Sequence, residues 1–159
     1  ATRCLAWRDV GKALPIAMIM IIITSLALGQ ALTDTGAATY VAQHFIAGVR
    51  ALPVAFILSG LMLILALLNN VVHTTAAGVI GTPIAIQIAR QLGVPPEPFV
   101  LAVIFGANMS YITPFGHQAN LLVLTAGGYK FSDFPRLGLP LTLIMWLGFS
   151  LLLPLLYPL

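Results

Sequence analysis

The chain has 159 residues, of which 60% are hydrophobic and 7% charged, and its mean hydropathy is +1.04. A soluble domain carries about 25% charged residues, so the composition excludes a cytosolic enzyme, a nucleic-acid binder and a disulfide scaffold, and it points to an integral membrane protein with the lipid bilayer as main solvent. The formal charge of +3 comes from 7 Lys and Arg against 4 Asp and Glu spread along the chain, which leaves no basic patch for a nucleic acid, and the single cysteine, Cys4, excludes an internal disulfide and a zinc cluster.

The charges divide the chain into uncharged runs that can be compared with a membrane span of about 20 apolar residues. Residues 13–33 make one transmembrane helix, which ends at Thr33-Asp34-Thr35-Gly36. Residues 37–49 form a short interfacial or connecting helix, because Val41, Phe45 and Val49 recur at helical spacing while Gln43 and His44 fall on other faces. Residues 51–89 are about two spans long and predict a helical hairpin with its tip at 69–75. Gly93-Val94-Pro95-Pro96-Glu97-Pro98 is a turn, since three prolines remove backbone donors. Residues 98–127 form a transmembrane helix broken at 113–120, a polar loop follows at 127–135, and residues 137–158 form the last transmembrane helix. The fold class is all-α, a polytopic membrane protein in a single transport domain over 1–159. The chain starts with Ala and not Met, which reads as a fragment or a processed product, and the first apolar run lacks the small-residue cleavage site of a secretory signal.

Lys and Arg concentrate on the cytoplasmic side of membrane proteins. With the N-terminus in the cytoplasm, Arg3, Arg8, Lys12, Lys130 and Arg136 lie inside, Arg50 and Arg90 lie outside, and the C-terminus is outside. The expected location is the cell (inner) membrane, crossed several times.

Two polar constellations interrupt the apolar runs. The first is Asn69-Asn70-Val71-Val72-His73-Thr74-Thr75, followed by Gly78, Gly81 and Pro83. Such a cluster is costly in hydrocarbon and needs protein or water around it. A re-entrant hairpin tip satisfies that need; the other reading is an ordinary turn at the far membrane face, although it carries no Lys, Arg, Asp or Glu. The second runs from Asn108 through Ser110, Thr113, Pro114, Gly116, His117 and Gln118 to Asn120. Pro114 cannot donate a backbone hydrogen bond and Gly116 weakens a helix. This predicts a helix broken in mid-membrane, whose free carbonyls and N–H groups can hold cations and anions; the other reading is a proline kink whose polar groups satisfy neighbouring helices. The two segments are expected to meet near the membrane midplane. His44 reads as interfacial. His73 and His117, without carboxylates or cysteines, make a poor metal site, and no Gly-x-Ser-x-Gly elbow or intramembrane carboxylate supports a hydrolase. No enzyme is expected.

At these residues the sequence resembles the divalent anion:sodium symporter family, the citrate and sulfate permease group of the ion transporter superfamily. His73-Thr74-Thr75-Ala76-Ala77 with Thr82-Pro83-Ile84-Ala85 holds the place of the family's hairpin tip. Pro114-Phe115-Gly116-His117-Gln118-Ala119-Asn120, with Gly127-Gly128-Tyr129 and Ser132-Asp133, is similar to its later broken helix. Leu26-Ala27-Leu28-Gly29-Gln30-Ala31-Leu32 with Thr35-Gly36 looks like its glycine-rich helix before the hairpin. Thr74 stands where the family tip often has Asn, and His117 and Gln118 stand where some members have Thr and Pro.

The resemblance covers the C-terminal half of a family member, one of two inverted repeats, and implies a missing N-terminal repeat and an assembly of identical chains. It implies secondary active transport of a small divalent anion (dicarboxylate, citrate or sulfate) with sodium as coupling ion and no other cofactor. The substrate-binding candidates are Asn70, His73, Thr74, Thr75, Thr113, Pro114, His117, Gln118 and Asn120. The sodium-binding candidates are Asn69, Val72, Thr74, Gly116 and Asn120. The alternative is a non-transporting membrane component that assembles with a partner supplying the other repeat. With no cationic side chain in either constellation, the anion must be held by hydroxyls, amides and N–H groups with bound cations offsetting its charge, unless His73 and His117 supply charge by protonation.

Overall fold

A computed structural model describes residues 20, 23, 24, 27, 30, 31, 34–49, 51–72, 74–114, 117, 119, 120, 123, 124 and 127–157. The described residues are helical or irregular, with no strand among them. The helices are α1 (Ala37–Val49), α2 (Val54–Asn69), α3 (Thr74–Leu92), α4 (Glu97–Ala107) and α5 (Asp133–Leu156). Of the expected first helix, Met20, Ile23, Thr24, Ala27, Gln30 and Ala31 are described and helical. The rest of 13–33, Cys4, and the Arg3, Arg8, Lys12 and Arg50 of the orientation argument lie outside the described residues. Among the described residues α5 is the one helix long and apolar enough to cross a membrane, while α2 and α4 are shorter apolar helices.

Each element starts and stops for local reasons. Thr35 N–H bonds the Ala31 carbonyl at 3.0 Å, and Gly36 turns the chain into α1 at φ 72°, a conformation glycine adopts without strain. Pro53 stands at the N-terminal boundary of α2, where its missing N–H costs no helical bond. The turn from α3 to α4 uses Gly93 at φ 69°. Arg90 lies in the last turn of α3 and Glu97 in the first turn of α4, each with the charge that complements its helix dipole. Pro83 sits inside α3, where it removes one backbone bond.

The helices pack through narrow stripes. Ile57, Leu58, Leu61, Met62, Leu65, Ala66 and Asn69 are the buried face of α2, and successive members lie three or four residues apart, one helical face. Small residues at every fourth position, Ala77, Gly81, Ala85 and Ala89, make up the buried stripe of α3 together with Ile88. Ala38, Ala42 and Ile46 do the same on α1, which packs on α3. Without a hydrophobic driving force between helices in lipid, such small residues stabilise by letting backbones approach. The most extensive contact is between α2 and α4. There a methyl group on Gly106 would lie 2.7 Å from the Met62 carbonyl oxygen, so only glycine fits that crossing. By contrast α5 buries just Gly138, Thr142 and Leu153 and leaves Leu137, Ile144, Leu151 and Leu155 exposed, as a helix turned to lipid does. It is tied to α2 by a Ser59–Ser150 hydroxyl pair at 2.7 Å and by Trp146 Nε1–H donating to the Ser59 carbonyl at 3.0 Å.

Candidate functional site

The buried stripe of α2 ends on two amides. Leu58, Met62 and Leu65 lead to Asn69 on the same face, and Asn69 is fully buried. The next residue, Asn70, is also buried and marks the end of the helix, with its own N–H on the Leu67 carbonyl at 3.1 Å. The chain turns at 70–72, and α3 begins at Thr74.

Asn70 joins this turn to the segment after α4. Its Nδ2 donates to the Ala66 carbonyl at 2.7 Å and to the Met109 carbonyl at 3.1 Å. Its Oδ1 accepts the backbone N–H of Ile112 at 3.0 Å and of Thr113 at 3.1 Å. Its main-chain carbonyl accepts the Thr113 hydroxyl at 2.6 Å. One side chain therefore supplies the partners that a continuing helix would have given to residues 109–113. This explains why helix stops at Ala107, upstream of the expected break at 113–120, and why 109–114 is irregular. Local sequence agrees, since the residue before Pro114 is steered out of the helical region.

Downstream, Ala119, Asn120, Val123 and Leu124 are again helical. Asn120 Nδ2 donates back to the Ser110 carbonyl at 2.7 Å and the Thr113 carbonyl at 3.3 Å. His117 is exposed, and its Nδ1 accepts the Ala119 N–H at 3.2 Å while its carbonyl accepts the Asn120 N–H at 3.1 Å. It thereby caps the resumed helix, using a lone pair at Nδ1. Pro114 is buried, and Thr113 and Asn120 are half-buried.

Asn69, Asn70, Thr113 and Asn120 thus lie on the hairpin turn and the interrupted segment, and Asn70 and Asn120 bond directly to Thr113. Val72, Thr74 and Thr75 are half-buried at the turn, and both threonines have hydrogen-bonding partners. His73, Gly116 and Gln118 lie outside the described residues. Two features escape the reading of polar side chains. The carbonyls of Met109 and Ser110 serve as acceptors, a role that residue type does not reveal. Gly138 on α5 lies so close to the Tyr111 backbone that a methyl group there would collide with its carbonyl; in the sequence nothing separates it from Gly148 of the same helix, which has open space around it.

Among the described residues the side chain of Asn69 is the buried one whose oxygen and nitrogen both lack a hydrogen-bond partner. Leaving such a group unpaired costs about 1–3 kcal/mol. A separate cavity of about 300 Å3 lies beside Asn120, walled by Tyr111, Tyr129, Phe134 and Asp133. It holds a carboxylate and no basic side chain, so charge does not suit it to an anion. Among the described residues no group of three or more His, Cys, Asp or Glu could hold a transition metal.

Strongly apolar helices with a polar turn tied to an interrupted helix are an arrangement that membrane transporters use. The sequence model of the family described as citrate transporter matches residues 2–159, and the chain belongs to that family. It is 34% identical over 154 residues to an uncharacterized transporter of Synechocystis sp., covering 97% of this chain and 25% of that protein. It is 30% identical over 156 residues to the uncharacterized transporter YfbS of Escherichia coli, covering 98% of this chain and 26% of that protein. Sodium/sulfate cotransporter 1 of Chlamydomonas reinhardtii is 30% identical over 140 residues, 87% of this chain and 16% of its own length. The chain spans about a quarter or less of the length of these curated relatives. All three of these relatives are named as transporters.

Proposed function

We propose that this chain is part of a secondary active transporter that moves a small divalent anion, a dicarboxylate, citrate or sulfate, across the cell membrane with sodium as the coupling ion. The observation that carries the reading is the buried, unpaired amide of Asn69 beside the Asn70–Thr113 tie. A polar group kept dry and unpaired costs stability, and a bound ion offsets that cost. Hard cations take oxygen ligands, and the candidates that the sequence offers are neutral oxygens: the side chains of Asn69, Thr74 and Asn120 and the carbonyls of Val72 and Gly116. The names of the Chlamydomonas relatives, sodium/sulfate cotransporters, support sodium and an anion.

The anion would be held by Thr74, Thr75, His73, His117, Gln118 and the backbone around Pro114, while Thr113, whose N–H and hydroxyl are both given to Asn70, holds the break in place. Asn70 acts there as a positioning residue, because its amide is already engaged on both sides. Hydrogen bonds to a charged group contribute about 1.5–3 kcal/mol each, so several must converge from both sides to offset dehydration. One hairpin and one broken helix supply one side. The complete site therefore takes a second, inverted repeat, from elsewhere in the protein or from another copy. The N-terminus of this segment faces the cytoplasm and its C-terminus the outside.

The test is uptake of labelled sulfate, succinate and citrate by proteoliposomes of the full-length protein, with and without a sodium gradient. Sodium-stimulated uptake of at least one anion supports the reading. Uptake of none, in vesicles that hold folded protein, contradicts it.

A further inference from the structure

We propose that the groove between the end of α3 and the start of α4 binds a phospholipid with an ethanolamine headgroup, its phosphate on Arg90 and its ammonium on Glu97. The groove has a volume of about 540 Å3 and is lined by Ile86, Arg90, Glu97, Val100, Leu101 and Tyr157. Arg90 and Glu97 flank one interhelical turn, so both lie at the same end of the bundle. Both are exposed, and neither side chain has a hydrogen bond or ion pair with another described residue. Ile86, Val100 and Leu101 lie deeper along the two helices and are half-buried. The groove thus pairs a charged rim of both signs with an apolar wall, the pattern of an amphiphile standing at a membrane boundary. Tyr157, with an apolar ring and a polar tip, suits the same boundary.

Charge selects among lipid headgroups. A purely anionic headgroup would meet Arg90 but be repelled by Glu97. A choline headgroup is zwitterionic but has no N–H to donate. An ethanolamine ammonium offers donors to the carboxylate while its phosphate accepts from the guanidinium, and such charge-assisted bonds are about twice as strong as neutral ones.

The test is native mass spectrometry of the full-length protein after equilibration in nanodiscs holding equal amounts of phosphatidylethanolamine, phosphatidylcholine and phosphatidylglycerol. The expected result is retention of the ethanolamine lipid over the choline lipid by roughly tenfold, the worth of one charge-assisted hydrogen bond. Glu97→Gln should bring that ratio close to one, and Arg90→Gln should lower retention of both zwitterionic lipids. Exchanging the pair (Arg90→Glu with Glu97→Arg) keeps one charge of each sign and should retain the ethanolamine preference, which guards against a single variant that fails to fold. Equal retention of the ethanolamine and choline lipids by the unaltered protein, a preference for the glycerol lipid, or a ratio unmoved by Glu97→Gln would each overturn the proposal.

Discussion

Asn70 Oδ1 accepts the backbone N–H of Thr113 at 3.1 Å, and the Asn70 carbonyl accepts the Thr113 hydroxyl at 2.6 Å. The two residues are 43 positions apart in the chain, and this pair of hydrogen bonds ties the hairpin turn to the interrupted helix.

Replacing Asn70 with Leu fills the space but leaves the Met109 carbonyl and the Ile112 and Thr113 N–H groups without their partner. Each buried group left unpaired costs about 1–3 kcal/mol, so a loss of several kcal/mol is expected. Thr113→Val removes one hydroxyl donor and should cost only about 1 kcal/mol. Thermal unfolding in detergent, followed by near-ultraviolet circular dichroism, checks the order: Asn70→Leu far below Thr113→Val, and Thr113→Val slightly below the unaltered protein.

Gly138→Ala places a methyl group against the Tyr111 carbonyl, so α5 must shift away from the interrupted segment. A cost of about 1–3 kcal/mol is expected, as for other overpacked sites, with transport reduced while helix content is kept. Gly60→Ala is the control: nothing lies within 4 Å of a methyl group there, and alanine stabilises a helix interior by roughly 0.5–1 kcal/mol. Melting temperatures that move in the same direction for both variants would argue against the close approach of α5.

The Ser59–Ser150 pair is a neutral hydrogen bond between helices α2 and α5. Interhelical bonds of this kind average about 0.6 kcal/mol in membranes. A double-mutant cycle with Ser59→Ala and Ser150→Ala should return a coupling of that order. Trp146→Phe, which removes the donor to the Ser59 carbonyl, should add a loss of similar size.

Much of this arrangement is legible in the residues. Asn69-Asn70 within a long uncharged run, and Pro114 within another, mark where regular helix gives way, because amides and a proline are poorly suited to an uninterrupted lipid-facing helix. That the two polar segments meet follows from both needing partners away from lipid; which residues pair does not. The stop at Ala107 is not legible, because it depends on Asn70 reaching Met109, Ile112 and Thr113 from a distant part of the chain. Nor does residue type separate Asn69 from Asn70. Adjacent and chemically identical, they differ only in direction: Asn70 points at the irregular backbone and is saturated, whereas Asn69 points along the packed stripe and is left unpaired.

That difference makes Asn69 the sharpest probe of the ion site. Leucine is close to asparagine in shape and needs no hydrogen bond, so Asn69→Leu should leave the protein as stable or more stable, by up to about 1–3 kcal/mol, if the amide is kept for ligation and not for folding. The Thr74→Val variant, which keeps shape and removes a hydroxyl, should likewise weaken sodium activation.

The direct measurement is the sodium-concentration dependence of anion uptake by full-length Asn69→Leu protein in proteoliposomes, beside the unaltered protein. The predicted result is a well-folded variant whose uptake no longer responds to sodium, or responds only at concentrations at least tenfold higher, the equivalent of about 1.4 kcal/mol of lost binding. A folded variant with an unchanged sodium dependence would contradict the assignment of the hairpin turn as the ion site.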